Sequence, residues 1–320
     1  MTIKVAGTGS HLPKLVVTND DLAKIMDTSD EWIQSRTGIK ERHLATEETT
    51  AFMAAEASRK ALADAGMNAD EIDLIIVGTI TGDHITPSTA CEVQAMLGAD
   101  NAVAFDVNAA CSGFMYALNT AYAYISGGMY ENALVIGVET LSKIMNWEDR
   151  STCVLFGDGA GAVVVKKQEE GLYAFDQGSD GKKGVVLACK NRPANKPYVK
   201  NPFEPDYVHM DGQEVYKFAV STVPASIKKV RDKANVQVED VDLFVLHQAN
   251  IRILQSVSKR LKVSEDKFPI SLDHCGNISA ASVPILLDEV NRKGMLKPGD
   301  KIVMSGFGAG LTWGTVLLEW

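Results

Sequence analysis

From Arg59 the chain runs RKALADAGMNADEID, with apolar positions scattered among polar ones, and then LIIV, apolar at every position. The first stretch predicts a helix and a short polar turn. The second predicts a strand buried on both faces, because a half-exposed strand would alternate. The same order returns at Lys228 to Leu246, KKVRDKANVQVEDVDLFVL, which aligns with the first copy without gaps. Lys60 and Lys229, Ala65 and Ala234, Asp73 and Asp242, and Leu74 and Leu243 are identical pairs. FGDGAGAVVV (Phe156 to Val165) and GFGAGLTWGTVLLEW (Gly306 to Trp320) form a second pair, each read as a Gly-rich turn feeding an apolar strand. These repeats predict a duplicated α/β body, two similar halves of sheets covered by helices, divided near residue 170 in KKQEEG. Residues 1–170 form one half and 171–320 the other. The competing reading of the echo is chance likeness between two αβ units.

A further apolar strand, Ala102 to Val107, leads through small residues into a helix with Phe114, Leu118, Tyr122 and Ile125 on one side. Cys111 falls at that junction. A helix N-terminus offers partial positive charge and free N–H groups, which favour a thiolate nucleophile. Equally, a cysteine beside Ala109 and Ala110 can be packing. His247 ends the buried strand of the second copy, in LFVLHQAN, where α/β proteins gather their chemistry, although such a histidine can also be structural. Asn277, in SLDHCGNISAASVP, is read as leading from a strand into a helix like Cys111, or as an ordinary helix cap. Cys91 in a helix and Cys153 in the strand-like STCVLF read as filler, and Cys189 has no supporting motif. His274 and Cys275, on an extended segment, would point to opposite faces.

Composition narrows the class. Of 320 residues, 46% are hydrophobic and 23% charged, as in a globular protein with a sizeable core. A net charge of −9 argues against nucleic acid, and no apolar run is long enough to cross a membrane, so a cytoplasmic location is expected. The five cysteines include no CxxC pair and the six histidines no HxxxH, so neither a disulfide framework nor a metal site is expected.

DTSDEWIQSRTGIKERH, AACSGF around Cys111, DRSTCVLFGDGAGA from Asp149, MDGQEVYKFA from Met210, HQANIRI from His247, GNISAASVP from Gly276 and GFGAGLTWG stand in one order along the chain. With these motifs the sequence resembles the thiolase superfamily, and within it most closely the β-ketoacyl-acyl-carrier-protein synthase III family, which initiates type II fatty-acid synthesis. The resemblance implies a layered αβαβα fold and a Cys-His-Asn constellation at Cys111, His247 and Asn277. Cys111 would take an acyl group from an acyl-coenzyme A. His247 and Asn277 would then stabilise the enolate formed when malonyl-acyl-carrier protein loses carbon dioxide. The backbone N–H groups of Cys111 and Ala309 would hold the oxyanion. Ala309 and Ile278 stand where the family often has Gly and Thr; Ala309 still offers its N–H, while Ile278 and Cys275 change the packing beside Asn277.

The resemblance also implies that Trp32 and Arg150 stack on the coenzyme A adenine, unless Trp32 simply belongs to a helix opened by Thr28 and Glu31 in capping-box spacing. Thr28, Arg36, Gly212, Gln213 and Asn250 are further coenzyme A contacts by the same route. No resident cofactor is implied. Arg252, Lys259, Arg260 and Lys262 recur at roughly helical spacing and would dock the acidic carrier protein, or form only a solvated helix face. A homodimer is implied, with the loop bearing Thr86 walling the partner's acyl pocket. Three alternatives stand beside this reading: a quinolone- or polyketide-type condensing enzyme, a Cys-His-Asn thioester hydrolase, and a non-enzymatic acyl-coenzyme A binder.

Overall fold

The computed structural model describes residues 1–191, 198 and 206–320. The first half contains β1 (Thr2–His11), β2 (Leu15–Thr18), α1 (Asn19–Leu22), α2 (Asp30–Thr37), β3 (Glu41–Leu44), α3 (Thr50–Ala65), β4 (Leu74–Gly78), α4 (Thr89–Leu97), β5 (Val103–Val107), α5 (Gly113–Ser126), β6 (Asn132–Thr140) and β7 (Asp158–Gln168). The second contains β8 (Tyr173–Ser179), β9 (Leu187–Ala188), β10 (His209–Met210), α6 (Gly212–Ala234), β11 (Leu243–Leu246), α7 (Ile251–Leu261), α8 (Leu272–Cys275), α9 (Ser282–Arg292), β12 (Lys301–Gly308) and β13 (Thr312–Glu319).

Two main sheets run β1-β7-β6-β4-β5 and β11-β12-β13-β8, with β4 parallel to β5 and β6, and β11 parallel to β12. Side-chain alternation on the twice-buried strands sets the layers. Leu74 and Ile76 of β4 join Leu243 and Val245 of β11 in one central core with Phe114 and Leu118 of α5 and Val283 and Leu286 of α9. Ile75 and Val77 face α3 and α4, while Phe244 and Leu246 face α6 and α7. The result is an αβαβα stack with α5 and α9 sandwiched between the sheets. Each fully buried Phe or Leu there contributes about 1.5–3 kcal/mol.

The two copies superpose in logic down to the backbone. A short 3-10 turn precedes each central helix, Ala110–Ser112 before α5 and Ser279–Ala281 before α9, and each opens on a left-handed residue, Ala110 at φ 45° and Ser279 at φ 44°. Four local readings need correction. STCVLF is a run of turns rather than a strand, although Cys153 is fully buried. Asn277 follows the short helix α8 and not a strand. The glycines of FGDGAGAVVV are not all in a turn: Gly159 and Gly161 lie within β7, where a Cβ on Gly161 would meet Ile285 N at 2.5 Å, so α9 sits close against the sheet. Finally, α2 is capped by Ser29, whose hydroxyl accepts from Trp32 N–H, rather than by Thr28.

Candidate active site

Cys111 enters on the 3-10 turn at the end of β5, His247 just beyond the end of β11, and Asn277 between α8 and the turn before α9. All three are buried and line one cavity together with Phe156, Phe307, Gly308, Asn250 and Gly212. The backbone fixes each of them. His247 N–H donates to Ser305 O at 2.8 Å, tying it to β12. Asn277 N–H donates to Leu155 O at 2.8 Å and its carbonyl accepts from Gly157 N–H at 3.1 Å. Arg42, completely buried, anchors that same segment by donating to Val154 O at 2.9 Å and to Asn19 Oδ1 at 2.9 Å. Gly308 packs directly on Cys111, since a Cβ there would lie 2.7 Å from Cys111 Cβ. Ala309 follows it and lines a small apolar extension of the cavity with Cys111, Ala110, Leu141, Val208 and Ser279.

The electrostatics differ from the thiolate expected at a helix start. Burial pushes the Cys111 thiol up to about 12, outweighing the hydrogen bond from Ser279 that lowers it. Burial also lowers His247 to about 3, so its imidazole is neutral at physiological pH. A neutral imidazole carries one N–H and can present it to a developing enolate. The Phe307 ring packs edge-on to it at 5.1 Å between centroids, and Nδ1 is buried with no hydrogen-bond partner among the described residues.

Of the other residues singled out in the sequence, some converge on this cavity and some do not. Asn250 caps α7 and donates from Nδ2 to Arg36 O at 3.0 Å. Gly212 opens α6 at the cavity wall, whereas Gln213 is exposed outside it. The Trp32 ring carries Arg36 at 4.7 Å and Arg150 at 5.3 Å from its centroid, so an adenine could be stacked there only if Arg150 swings aside from Asp27, which it now bonds. Thr28, close to this cluster in sequence, has a buried hydroxyl with no hydrogen-bond partner among the described residues. Arg252 is exposed on α7 and donates to Ser35 O at 2.8 Å, linking α7 to α2. Lys259 and Arg260 lie in the last turn of α7, and Lys262 is its C-cap. Thr86 sits on an exposed loop, outside the lining of the cavity that holds Cys111.

His274 and Cys275 are on a helix, and both turn toward α9. The Cys275 thiol and the Glu289 carboxylate, the latter 2.8 Å from His274 Nε2, hold the imidazole protonated up to about 11, with Asp273 2.9 Å from Nδ1. This network ties α8 to α9 on either side of the Asn277 loop. Two residues of the site escape sequence reasoning. Glu139 gave a signal as a lone carboxyl ending the apolar run ALVIGVET; Ser279, among other small residues, gave none.

The descriptions matching this chain are 3-oxoacyl-[acyl-carrier-protein] synthase III over residues 105–181 and the C-terminal part of the same enzyme over residues 232–320. A β-ketoacyl-[acyl-carrier-protein] synthase III of Clostridium novyi is 52% identical over 320 residues, covering 99% of each chain. The crystal structure of 3-oxoacyl-[acyl-carrier-protein] synthase III from Aquifex aeolicus VF5 matches at 46% identity and TM-score 0.94, covering 99% of this chain and 100% of that one. The priming β-ketosynthase of the R1128 polyketide pathway matches at 37% identity and TM-score 0.93, covering 99% of this chain and 96% of that one. Fold and site together define an acyltransferase of the condensing type on the thiolase fold. More particularly, the chain belongs to the β-ketoacyl-acyl-carrier-protein synthase III family.

Proposed function

We propose that this chain condenses an acyl-coenzyme A primer with malonyl-acyl-carrier protein, releasing coenzyme A and carbon dioxide, through an acyl-Cys111 intermediate. The observation that carries the proposal is the meeting of Cys111, His247 and Asn277 in one buried cavity, whose lining residue Asn250 bonds the backbone of Arg36, the residue that packs on Trp32. Cys111 attacks the thioester carbonyl, and exchange between two sulfur esters is nearly isoenergetic. The backbone N–H groups of Cys111 and Ala309 receive the oxyanion. Malonyl-acyl-carrier protein then binds, with Arg252, Lys259 and Arg260 facing its acidic surface. His247 and Asn277 donate to the thioester oxygen as carbon dioxide leaves. The carbanion attacks the acyl-Cys111 carbonyl and expels the thiolate.

Two features support condensation over hydrolysis. A histidine lowered to about 3 is a weak base for activating water, and Asn277 lines the same cavity with its Oδ1 accepting from Ser279 N–H at 2.9 Å rather than from the imidazole. Likeness to a polyketide priming synthase leaves the same chemistry with another primer as the second reading.

A homodimer fits the edge of the first sheet. Among the described residues β5 has no partner on its outer side, Val103 is 49% exposed, and Ile85 and Met96 expose further apolar surface on neighbouring segments. Pairing two β5 strands would cover that edge and bring the Thr86 loop to a second subunit.

Incubation with labelled acyl-coenzyme A, then malonyl-acyl-carrier protein, followed by mass spectrometry tests the proposal. Label on Cys111 and a β-ketoacyl-carrier-protein product are expected. Free acid as the main product would overturn condensation. His247→Ala and Asn277→Ala should keep the acyl-enzyme and lose decarboxylation by about 10²–10³-fold each.

A further inference from the structure

Glu139, near the end of β6, is fully buried, and the reaction as described gives it nothing to do. Its Oε2 accepts from Ile80 N–H at 3.1 Å and from the hydroxyls of Thr79, at 3.3 Å, and Thr81. Its Oε1 accepts from the Ser279 hydroxyl at 3.2 Å. Both threonine oxygens also accept a backbone N–H, Thr79 Oγ1 from Thr81 at 3.2 Å and Thr81 Oγ1 from Thr140 at 2.8 Å, which leaves their hydrogens for the carboxylate. One carboxylate oxygen is thus held by the first half of the chain, and the other holds Ser279 of the second.

Ser279 carries that hold to Asn277. Its backbone N–H donates to Asn277 Oδ1 at 2.9 Å, the one hydrogen bond that the Asn277 carboxamide makes among the described residues. Asn277 lines the cavity with Cys111 and His247, and its Nδ2 is left uncommitted there. Turning the amide over would set Nδ2 against Ser279 N–H, donor against donor, and would offer an acceptor to an enolate oxygen. Ser279 itself is left-handed, at φ 44°, a conformation that a residue other than glycine keeps only where its surroundings fix it. β6 does so at two points. Glu139 takes the Ser279 hydroxyl, and Gly137 lies so close to Ala280 O that no side chain would fit between strand and turn. A glutamine at 139 could accept from Ser279 or from Ile80 N–H but not from both, since its amide has a single oxygen.

We propose that Glu139 is a positioning residue for decarboxylation: through Ser279 it fixes the Asn277 carboxamide with Nδ2 toward the enolate and Oδ1 turned from it. The inference rests on the reading above in which Asn277 donates to the malonyl thioester oxygen. Glu139 touches no reacting atom. The carboxamide takes no part in acylation of Cys111, so the two half-reactions separate.

Both are measured on the full-length protein: acyl-Cys111 formation from acyl-coenzyme A by single-turnover mass spectrometry, and release of labelled carbon dioxide from carboxyl-labelled malonyl-acyl-carrier protein by the acyl-enzyme. Glu139→Gln should acylate within about threefold of wild type and decarboxylate about 10-fold more slowly with KM unchanged, a part of the roughly 10²-fold that a displacement near 1 Å costs. Combined with Asn277→Ala it should cost no more than about twofold further, because its effect passes through the missing carboxamide. A further loss of about 10-fold on top of Asn277→Ala, an equal loss in acylation, or decarboxylation by Glu139→Gln within about twofold of wild type overturns the proposal. Should Glu139→Gln not fold, Ser279→Ala, which keeps the backbone N–H and loses the tie to Glu139, is carried through the same cycle with the same outcomes. Asn277→Ala decarboxylating at the wild-type rate would instead overturn the parent reading.

Discussion

A single methyl group added at Gly308 would probe how tightly the nucleophile is held. Its Cβ would fall 2.7 Å from Cys111 Cβ, 3.0 Å from Cys111 N and 3.1 Å from Sγ. Carbon atoms rest at about 3.5–4.0 Å, so roughly 0.8 Å must be found. The strand cannot easily supply it, because Gly308 pairs with Thr312 of β13. The 3-10 turn carrying Cys111 must therefore move. Overpacking of this kind costs about 1–3 kcal/mol of stability. A misplacement approaching 1 Å costs on the order of 10²-fold in rate, about 2.7 kcal/mol of barrier. Single-turnover acylation followed by mass spectrometry should show Gly308→Ala slowed by about 10²-fold, with a melting temperature lowered by only several degrees. Val93→Ala, which empties a core position on α4 away from the cavity, should lower the melting temperature comparably and leave acylation unchanged. A folded Gly308→Ala that acylates within about threefold of wild type would refute the reasoning.

Trp32→Ala should raise KM for acyl-coenzyme A about 3- to 30-fold with kcat retained, and leave a truncated pantetheine thioester unaffected. Equal losses on both substrates would remove the stacking role. Arg252→Glu should raise KM for malonyl-acyl-carrier protein about 10-fold while the primer half-reaction proceeds normally; unchanged kinetics would rule out docking there. Glu139 also sets a stability profile. Its folded value, raised from 4.5 to about 7, gives a contribution that is full below 4.5 and lost as pH rises through 7. Glu139→Gln should remove up to about 3 kcal/mol of that pH dependence in urea melts, because one pKa unit is worth about 1.4 kcal/mol. A wild-type slope between pH 4.5 and 7 in the variant would contradict this. His247, lowered to about 3, acts in the opposite sense, losing its contribution as pH falls from 6.5 toward 3, and is common to both proteins.

The layers were legible because twice-buried strands such as LIIV and LFVL leave a plain mark, and the repeat of helix, turn and strand announced the second half. Cys111, His247 and Asn277 were legible as motif residues at element ends. What failed was local and short. A four-residue helix such as α8 has no hydrophobic period, so LDHC read as extended and the joint approach of His274 and Cys275 to Glu289 went unseen. The α2 cap slipped by one residue because Thr28 and Ser29 offer the same hydroxyl. The strength of burial at Cys111 was also hidden, since it comes from strands and helices far away in sequence. Ser279 and Glu139, 140 positions apart, became partners only through the packing of the two halves.

The matched left-handed residues Ala110 and Ser279 mark equivalent points in two copies of one unit, yet only the first copy has a sulfur next to it. Each copy supplies what the other lacks: the thiol comes from one, the amide and imidazole from the other. On the mechanism proposed above, neither fragment separated at the stretch between β7 and β8 contains a complete set of reacting groups, so activity would require both to be assembled. An evolutionary change that loosens their mutual grip would silence the enzyme while leaving each sheet intact.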